Sequence, residues 1–348
     1  MPFLKYFLAS NSKNGFVNYF PSVFNREKCK RIYVIKGGAG TGKSRFMKDI
    51  GEYAEGLGMN GRYYYCSSDA SSLDGVFIEE LGIGILDGTA PHVYEPVMPG
   101  AFDEIVNLGE FWDSDKLSRG FAKISELVMM KSKAYKRAYA ILSSLGYVTN
   151  ARNGLLDGVV SRKKIRGAVK RLLHNLPNSN DNAVEIGLCR SVGMDGRSML
   201  DTYEENADVL YSVNDFHGTS RIFLDEVRHE ADKRSMSYTV SYSPVMNDEI
   251  DAILLKDSGV AFTLSDDGKK KINMSRFVDA NAFKECRDEV KFFEREIRAL
   301  SALADNTFKK VREAHFSLEE IYSDAMDFSK KEEFTREFTK RIFKEYTP

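Results

Sequence analysis

Residues 31–44 read RIYVIKGGAGTGKS, and this stretch decides the fold. The short, apolar and β-branched run from Arg31 to Lys36 ends at glycines, which predicts a buried strand. From about Lys43 the apolar residues recur at helical spacing, and Gly58 follows where a C-terminal cap would stand. The stretch therefore predicts a buried strand, a glycine-rich turn and a helix in direct succession.

The turn matches the Walker A pattern G-x-x-x-x-G-K-[ST], in which backbone N–H groups and a helix N-terminus bind phosphate. We expect Lys43 to contact the β- and γ-phosphates of a nucleoside triphosphate and the Ser44 hydroxyl to bind Mg²⁺. The predicted nucleotide-binding residues are Gly37, Gly38, Ala39, Gly40, Thr41, Gly42, Lys43, Ser44 and Arg45.

An acidic partner for Mg²⁺ is expected at the end of a neighbouring strand. A strand is predicted over 81–86, and Asp87 follows it, so Asp87 is the Walker B candidate and a second metal ligand. An aspartate that only begins a turn is the alternative. Gly88 stands where many ATPases have a glutamate that activates water, which weakens the case for rapid hydrolysis.

Polar residues after two predicted strands supply further catalytic candidates. The strand predicted over 62–66 leads into the loop 67–74, which should face the phosphates because ligands bind beyond the carboxyl ends of parallel strands. Asp69, and less directly Asp74, would position a water or an acceptor hydroxyl. His92, beyond the Walker B candidate, would carry a proton. Turn and cap formation are the alternatives for the aspartates, and simple solvation for the histidine.

The chain contains an internal repeat. The stretch 33–44 aligns with 211–222 through a tyrosine, a Gly-Thr pair and a basic residue, and 73–78 aligns in the same order with 250–255. The joint is predicted at the proline-led polar cluster 177–182. Two domains from an old duplication are the interpretation, and chance similarity between two strand and helix patterns is the alternative.

The second copy of the glycine-rich turn has diverged. Asp215 replaces the first glycine and would repel phosphate, Ser220 and Arg221 replace Gly-Lys, and Ile222 cannot bind Mg²⁺. Leu264 stands near the Walker B position. We therefore expect the second half to bind no nucleotide and instead to support, regulate or present a partner.

Strands that alternate with helices predict an α/β fold, P-loop NTPase-like, with mainly parallel sheets and helical additions in two duplicated halves. The predicted domains are a P-loop nucleotide-binding domain with a helical extension, 1–180, and a degenerate repeat with C-terminal helices, 181–348. Helix–helix packing, or docking of a protein partner, would use the apolar positions of the added helices. These helices are predicted over 103–108, 114–145, 161–175, 280–304, 306–327 and 331–346.

Composition limits the class of protein. The 348 residues include 50 Lys and Arg against 51 Asp and Glu, so the overall charge gives no evidence for a nucleic-acid partner and leaves room for local basic patches. The four cysteines form no Cys-x-x-Cys pair, which argues against a zinc site or a disulfide framework and favours a reducing cytoplasm. Neither a signal peptide nor a membrane-spanning run is predicted, and a globular cytoplasmic protein is expected.

Several stretches together resemble a family of duplicated P-loop ATPase-like proteins from spore-forming Firmicutes, mostly described as hypothetical ATPases or nucleotide-binding proteins. The stretches are 35–44, 66–69 with 73–75, 86–92 and 107–112. The Asp-Gly-Thr-Ala-Pro-His string at 87–92 is more distinctive than Walker A itself. The resemblance covers most of the first half and implies no substrate. Members often carry a second Walker A loop, from which this sequence departs at 215–222.

Three functions stay open. The first is an Mg²⁺-dependent ATPase in which Lys43 neutralises phosphate charge, Ser44 and Asp87 hold the metal, and Asp69 or His92 orients water. The second is a small-molecule or nucleotide kinase, and the third is a nucleotide-gated binding protein without catalysis. ATP is preferred over GTP because no Asn-Lys-x-Asp guanine motif is present.

Overall fold

Each half of the chain folds around a six-stranded mixed sheet. The computed structural model describes residues 2–91, 93–178 and 182–346, and it confirms an α/β protein with two similar halves. The first half contains β1 Leu4–Phe7, β2 Ala9–Ser12, β3 Gly15–Asn18, β4 Arg31–Lys36, α1 Lys43–Gly56, β5 Gly61–Tyr65, β6 Leu73–Ile78, β7 Ile83–Asp87, β8 Asp103–Asn107, α2 Ser114–Arg119, α3 Phe121–Asp157 and α4 Arg162–Leu173.

The second half repeats this order of elements. It contains β9 Val184–Ile186, β10 Arg190–Gly193, β11 Gly196–Met199, α5 Thr202–Glu205, β12 Val209–Asn214, α6 Ser220–Lys233, β13 Tyr238–Tyr242, β14 Ile250–Leu255, β15 Val260–Thr263, β16 Lys270–Asn273, α7 Ala280–Asp324 and α8 Phe328–Tyr346. No helix in the described ranges has an apolar stretch long enough to cross a membrane.

The two sheets have the same topology. Their strand orders are β1-β5-β6-β7-β4-β8 and β9-β13-β14-β15-β12-β16. In the first sheet β6 runs antiparallel to β5 and β7, and the other three pairings are parallel. Short loops join β5 to β6 and β6 to β7, and loops of that length allow antiparallel pairing, whereas a parallel crossover needs a dozen or more residues. The sheets are therefore mixed, with parallel pairs in the majority.

The predicted strand over 31–36 and the helix starting at Lys43 are confirmed, whereas the helix predicted over 103–108 is wrong. This segment forms β8, which pairs in parallel with β4. The side chain of Asp103 is fully buried beneath the preceding loop, where its carboxylate accepts hydrogen bonds of 2.8 Å from the amides of Val97 and Met98. These partners in the preceding loop hold the buried carboxylate at the start of β8.

The long helices differ in extent from their prediction. The region predicted as helix over 114–145 forms α2 and then α3, which continues to Asp157. The two helices predicted over 280–304 and 306–327 are one continuous helix, α7, and α3 packs along it. Phe308 is fully buried in the core between them, so the polar residues near 305 do not interrupt the helix.

The last helix of each half packs on the sheet of the other half. In the first half α4 buries Ile165 and Val169 in the core of the second sheet, against α6. In the second half α8 buries Phe338 and Ile342 in the core of the first sheet, against α1. Each core is thus completed by a helix from the other half of the chain.

Reciprocal contacts indicate an approximate two-fold relation between the halves. Phe7, the last residue of the edge strand β1, and Leu188, just after the edge strand β9, exchange backbone hydrogen bonds of 2.8 and 3.0 Å. Two further bridges repeat the relation: Trp112 with Met326, and Val160 with Val278.

An ion-pair cluster also links the two sheets. The carboxylate of Glu185 on β9 lies 2.9 Å from the guanidinium of Arg62 on β5 and 2.7 Å from the ammonium of Lys256. Burial alone would raise the pKa of Glu185, but Arg62 and Lys256 outweigh it and hold this pKa at about 2. Since the carboxyl is ionised more readily in the folded chain than in the unfolded one, the cluster stabilises the fold above the unfolded pKa.

We expect Glu185→Gln to lower the free energy of unfolding at pH 7 by on the order of 2–3 kcal/mol. The difference from the parent chain should shrink as the pH falls from about 4.5 towards 2, because protonation then removes the same charge in the parent. Urea unfolding, followed by circular dichroism at several pH values, measures this difference in the free energy of unfolding. Glu320→Gln, at an exposed position on α7, is the control. A pH-independent difference would contradict the prediction.

Candidate functional site

The turn between β4 and α1, residues 37–42, is here called the glycine loop. Gly40 and Gly42 have φ angles of +71° and +77°, in the left-handed region that side chains disfavour. The hydroxyl of Thr41 donates to the carbonyl of Gly38 at 3.0 Å and steadies the turn. Because α1 begins at Lys43, the loop brings a helix N-terminus to the carboxyl end of the sheet.

Helices from the second half cover the glycine loop. A Cβ atom on Gly40 would lie 2.5 Å from the carbonyl oxygen of Glu319 on α7, and one on Gly38 would lie 2.9 Å from the ring of Tyr322. The hydroxyl of Ser323 donates to the carbonyl of Gly40 at 3.1 Å. The end of α7 is therefore in direct contact with the loop.

Lys43 lies between the loop and the carboxylate predicted as Walker B. Its ammonium donates to the carbonyls of Gly38 at 2.8 Å and Gly37 at 3.2 Å, and lies 3.6 Å from a carboxylate oxygen of Asp87. The last pairing is possible because β7 is the direct neighbour of β4, with Asp87 opposite Ile35. Two residues more than forty positions apart in the chain thus meet at one end of the sheet.

Asp87 is buried and held by the turn that follows β7. One carboxylate oxygen accepts hydrogen bonds from the amide of Thr89 at 2.8 Å and from its hydroxyl at 2.6 Å. Burial raises the pKa of Asp87, against the opposing effects of Lys43 and of the Thr89 hydrogen bonds. The other oxygen is the one that approaches Lys43.

The hydroxyl oxygen of Ser44 accepts a hydrogen bond of 2.9 Å from the amide of Leu73, and Ser44 and Asp87 line the same cleft. Hydroxyl and carboxylate oxygens are ligands that Mg²⁺ accepts. Within the described ranges no three His, Cys, Asp or Glu residues are grouped to hold a metal ion. This donor set fits Mg²⁺ bound with phosphate and water rather than in a cage made only of protein ligands.

Asp69 lines the cleft, but its own loop occupies its carboxylate. One oxygen accepts from the amide and the hydroxyl of Ser71, and the other accepts from the hydroxyl of Ser72 at 2.7 Å. Although burial favours the protonated form, these hydrogen bonds lower the pKa of Asp69. A carboxylate with a lowered pKa is a weak base, so the geometry favours a role in shaping the loop.

Of the predicted nucleotide-binding residues, Gly37, Gly38 and Arg45 are not among the residues that line the cleft. The Arg45 side chain is largely exposed on α1 and forms a salt bridge of 2.7 Å with Asp49. His92 lies outside the described residues.

The structure brings to the cleft side chains that the sequence did not single out. The cleft has a volume of about 620 Å³. Its wall includes Lys131, Tyr135 and Tyr139 from α3, and His315 and Glu319 from α7. Nothing in the spacing of these residues signals the site, because the pairing of two distant helices brings them there.

Lys131 is the added residue with the clearest electrostatic signature. Burial lowers the pKa of its ammonium, and the charge of Lys43 lowers it further. In the described part of the chain no carboxylate lies within 4.0 Å of it. The cleft therefore holds two cations close enough to repel each other, an arrangement that an anionic ligand would stabilise.

In the second half, the turn that corresponds to the glycine loop contains a carboxylate that accepts hydrogen bonds from the amides of the same turn. The carboxylate of Asp215 accepts hydrogen bonds from the amides of Gly218 at 2.6 Å and Ser220 at 2.9 Å. Gly37 occupies the equivalent position in the glycine loop and has no side chain to do this. Arg221, in place of Lys43, turns to the carboxylate of Asp157. The loop amides and the basic residue of this half are thus satisfied from within the protein.

No protein-family model, curated protein or solved structure matches the chain.

Proposed function

We propose that the chain binds ATP with Mg²⁺ in the cleft beside the glycine loop and hydrolyses it slowly. One arrangement carries this proposal: the helix N-terminus, the ammonium of Lys43, the hydroxyl of Ser44 and the carboxylate of Asp87 converge at one end of the cleft. A polyphosphate needs N–H donors and a cation, and its metal needs hard oxygen ligands. The resemblance to P-loop ATPase-like proteins supports the same assignment.

Different residues of the cleft would bind the phosphates and the metal ion. The amides of the glycine loop would bind the phosphate oxygens, and Lys43 would exchange its hydrogen bonds with two loop carbonyls for bonds to phosphate. Ser44 and Asp87 would hold Mg²⁺, which when bound neutralises charge that develops on the phosphates. Ionised Asp87 would also keep Lys43 oriented.

Slow turnover is part of the proposal because the carboxylate of Asp69, a described residue named as a base, is occupied by its own loop. Asp69 is held by three hydrogen bonds, and Gly88 follows Asp87 where a water-activating glutamate would stand. Electrostatic stabilisation by Lys43 and Mg²⁺ would then supply most of the rate enhancement.

A nucleotide-gated switch is the second candidate, favoured by the contact between the glycine loop and α7. Since Gly40 touches the backbone of Glu319 and accepts from Ser323, an anion bound at the loop would alter the packing of a helix that crosses both halves. A switch of this kind requires ATP and ADP to differ in their affinity for two positions of α7.

Phosphate release by the purified chain with Mg²⁺-ATP tests the proposal. Steady release without added acceptor supports the ATPase, and ADP formation only with an added small-molecule or nucleotide acceptor indicates the kinase. Tight ATP binding without turnover supports the switch. Absence of ATP binding at millimolar concentration would contradict the proposed function in all three forms.

Substitution of Lys131 tests whether its ammonium contacts the phosphates of the proposed nucleotide. We expect Lys131→Ala to weaken ATP binding about tenfold, through loss of one charge-assisted bond, and to weaken AMP binding much less. The free protein should lose little stability, because the lost repulsion with Lys43 offsets the lost attraction to Glu319. Calorimetric titration with ATP, ADP and AMP measures the effect, and Lys133→Ala, at an exposed position on α3, is the control. Equal loss for all three nucleotides would refute a contact with the β- or γ-phosphate.

A further inference from the structure

Helix α4 carries a strong excess of positive charge. Residues 162–174 read RKKIRGAVKRLLH, with six Lys and Arg and no acidic residue, in a chain whose formal net charge is −1. The charge balance of the whole chain therefore conceals a local basic segment.

The fold presents this charge on one exposed face. Ile165, Val169 and Leu173, spaced four residues apart, are fully buried in the core of the second sheet. On the opposite side of the helix, four exposed side chains form two pairs, at 163–164 and at 170–171. The pairs are seven residues apart, about 10 Å along the helix axis. These four, here called the basic face, are Lys163, Lys164, Lys170 and Arg171.

Among the residues that the structure describes, no carboxylate pairs with the cations of the basic face. The two other arginines of α4 are engaged, Arg162 with Asp157 at 3.7 Å and Arg166 with Glu226 at 3.1 Å. Within residues 2–91, 93–178 and 182–346 no carboxylate lies within 4.0 Å of the four side chains of the basic face. Like charges held this close on a rigid helix repel one another, and a bound polyanion would relieve the repulsion.

Adjacent elements extend the positive surface. Helix α4 packs on the turn Met274–Phe277, which follows the edge strand β16. Lys270 and Lys271 on β16 and Arg276 in the turn are all exposed. Further exposed cations therefore lie on elements of the second half near α4.

The corresponding helix of the other half lacks this excess. Helix α8 occupies the position of α4 on the first sheet, and its lysines and arginines alternate with glutamates. Its acidic residues include Glu332, Glu333, Glu337 and Glu345. Because both helices bury an equivalent apolar stripe, packing on a sheet does not explain the charge of α4.

We propose that the basic face of α4 binds the phosphate backbone of nucleic acid without sequence preference. Exposed lysine and arginine rows contact backbone phosphates, whereas the described face offers no aromatic side chain to stack on bases. A membrane surface is the less favoured anion, since a helix that lies in a bilayer interface needs a free apolar face and that of α4 is buried. This surface is separate from the nucleotide cleft, and the proposal does not depend on it.

Fluorescence anisotropy with a labelled 20-base-pair duplex and a 20-nucleotide RNA of unrelated sequence tests the proposal. Four phosphate contacts on the duplex give a slope of log K against log salt of roughly −3 to −4, a loss of about 10²-fold in affinity between 50 and 200 mM salt. The variant K163E/K164E/K170E/R171E should bind at least about tenfold more weakly at 50 mM salt, with a shallower slope.

The matched control is K330E/R336E/K340E/K344E, which makes the same change of net charge at exposed positions on α8. It should retain most of the binding, and equal loss in both variants would overturn the assignment to α4. If charge reversal disturbs folding, K163Q/K164Q/K170Q/R171Q should still weaken binding. Full binding by a folded α4 variant, or binding of the chain to phosphatidylserine vesicles but not to nucleic acid, would also overturn it.

Discussion

Replacing Lys43 by alanine is expected to weaken Mg²⁺-ATP binding about 100-fold. Its ammonium lies at the junction of the glycine loop and Asp87, within 3.6 Å of that carboxylate. In the complex it would bond to two phosphates, and each hydrogen bond to a charged group contributes about 1.5–3 kcal/mol. Removing it would also leave the buried carboxylate of Asp87 without its nearest cation.

Arg45→Ala is the matched control for this change. Arg45 is the next basic residue on the same helix, but it is largely exposed and pairs with Asp49. It should bind ATP with an affinity close to that of the parent chain. Titration of both variants with a fluorescent ATP analogue, followed by competition with ATP, measures the difference. Unchanged affinity in Lys43→Ala would remove the basis for a nucleotide site at the loop.

Phe338→Ala is expected to lower the free energy of unfolding by about 3–5 kcal/mol, the range for a large aromatic side chain removed from a core. Phe338 is 3 % exposed, and its ring centroid lies 5.0 Å from that of Tyr33 and 5.2 Å from that of Phe46. These residues belong to β4 and α1, the elements that flank the glycine loop. The substitution should therefore loosen the site as well as the fold.

Urea unfolding measures the loss, and Phe292→Ala is the control because Phe292 on α7 is 48 % exposed. We expect the control to change stability by less than about 0.5 kcal/mol. Similar losses in the two variants would show that α8 contributes little to the core of the first sheet.

Local pattern predicts the elements whose own residues determine their conformation. The stretch 31–44 alone indicates β4, the glycine loop and the start of α1, because a β-branched run, glycines and a helical period follow one another. Asp87 was found in the same way, at the end of an apolar run. In each case the signal lies within a few residues.

Elements that depend on distant partners were not predicted. Strand β8 was predicted as a short helix because its strand conformation depends on parallel pairing with β4, far earlier in the chain, which no local period reveals. Lys131 and Glu319 reach the cleft only because α3 and α7 pack together. The charge of α4 is plain in the sequence, but its exposure follows from packing on the sheet of the other half.

Because α4 packs on the second sheet and α8 on the first, each half of the chain needs a helix from the other half to complete its core. Cutting the connection between α4 and β9 would leave each fragment with an uncovered sheet face and with one helix that has no partner. Neither fragment would then be a self-sufficient folding unit, whereas the two together could restore the whole by complementation in trans. Covalent linkage also allows the two halves to differ, so that one keeps a glycine-rich turn with a lysine and the other fills the corresponding turn with its own carboxylate.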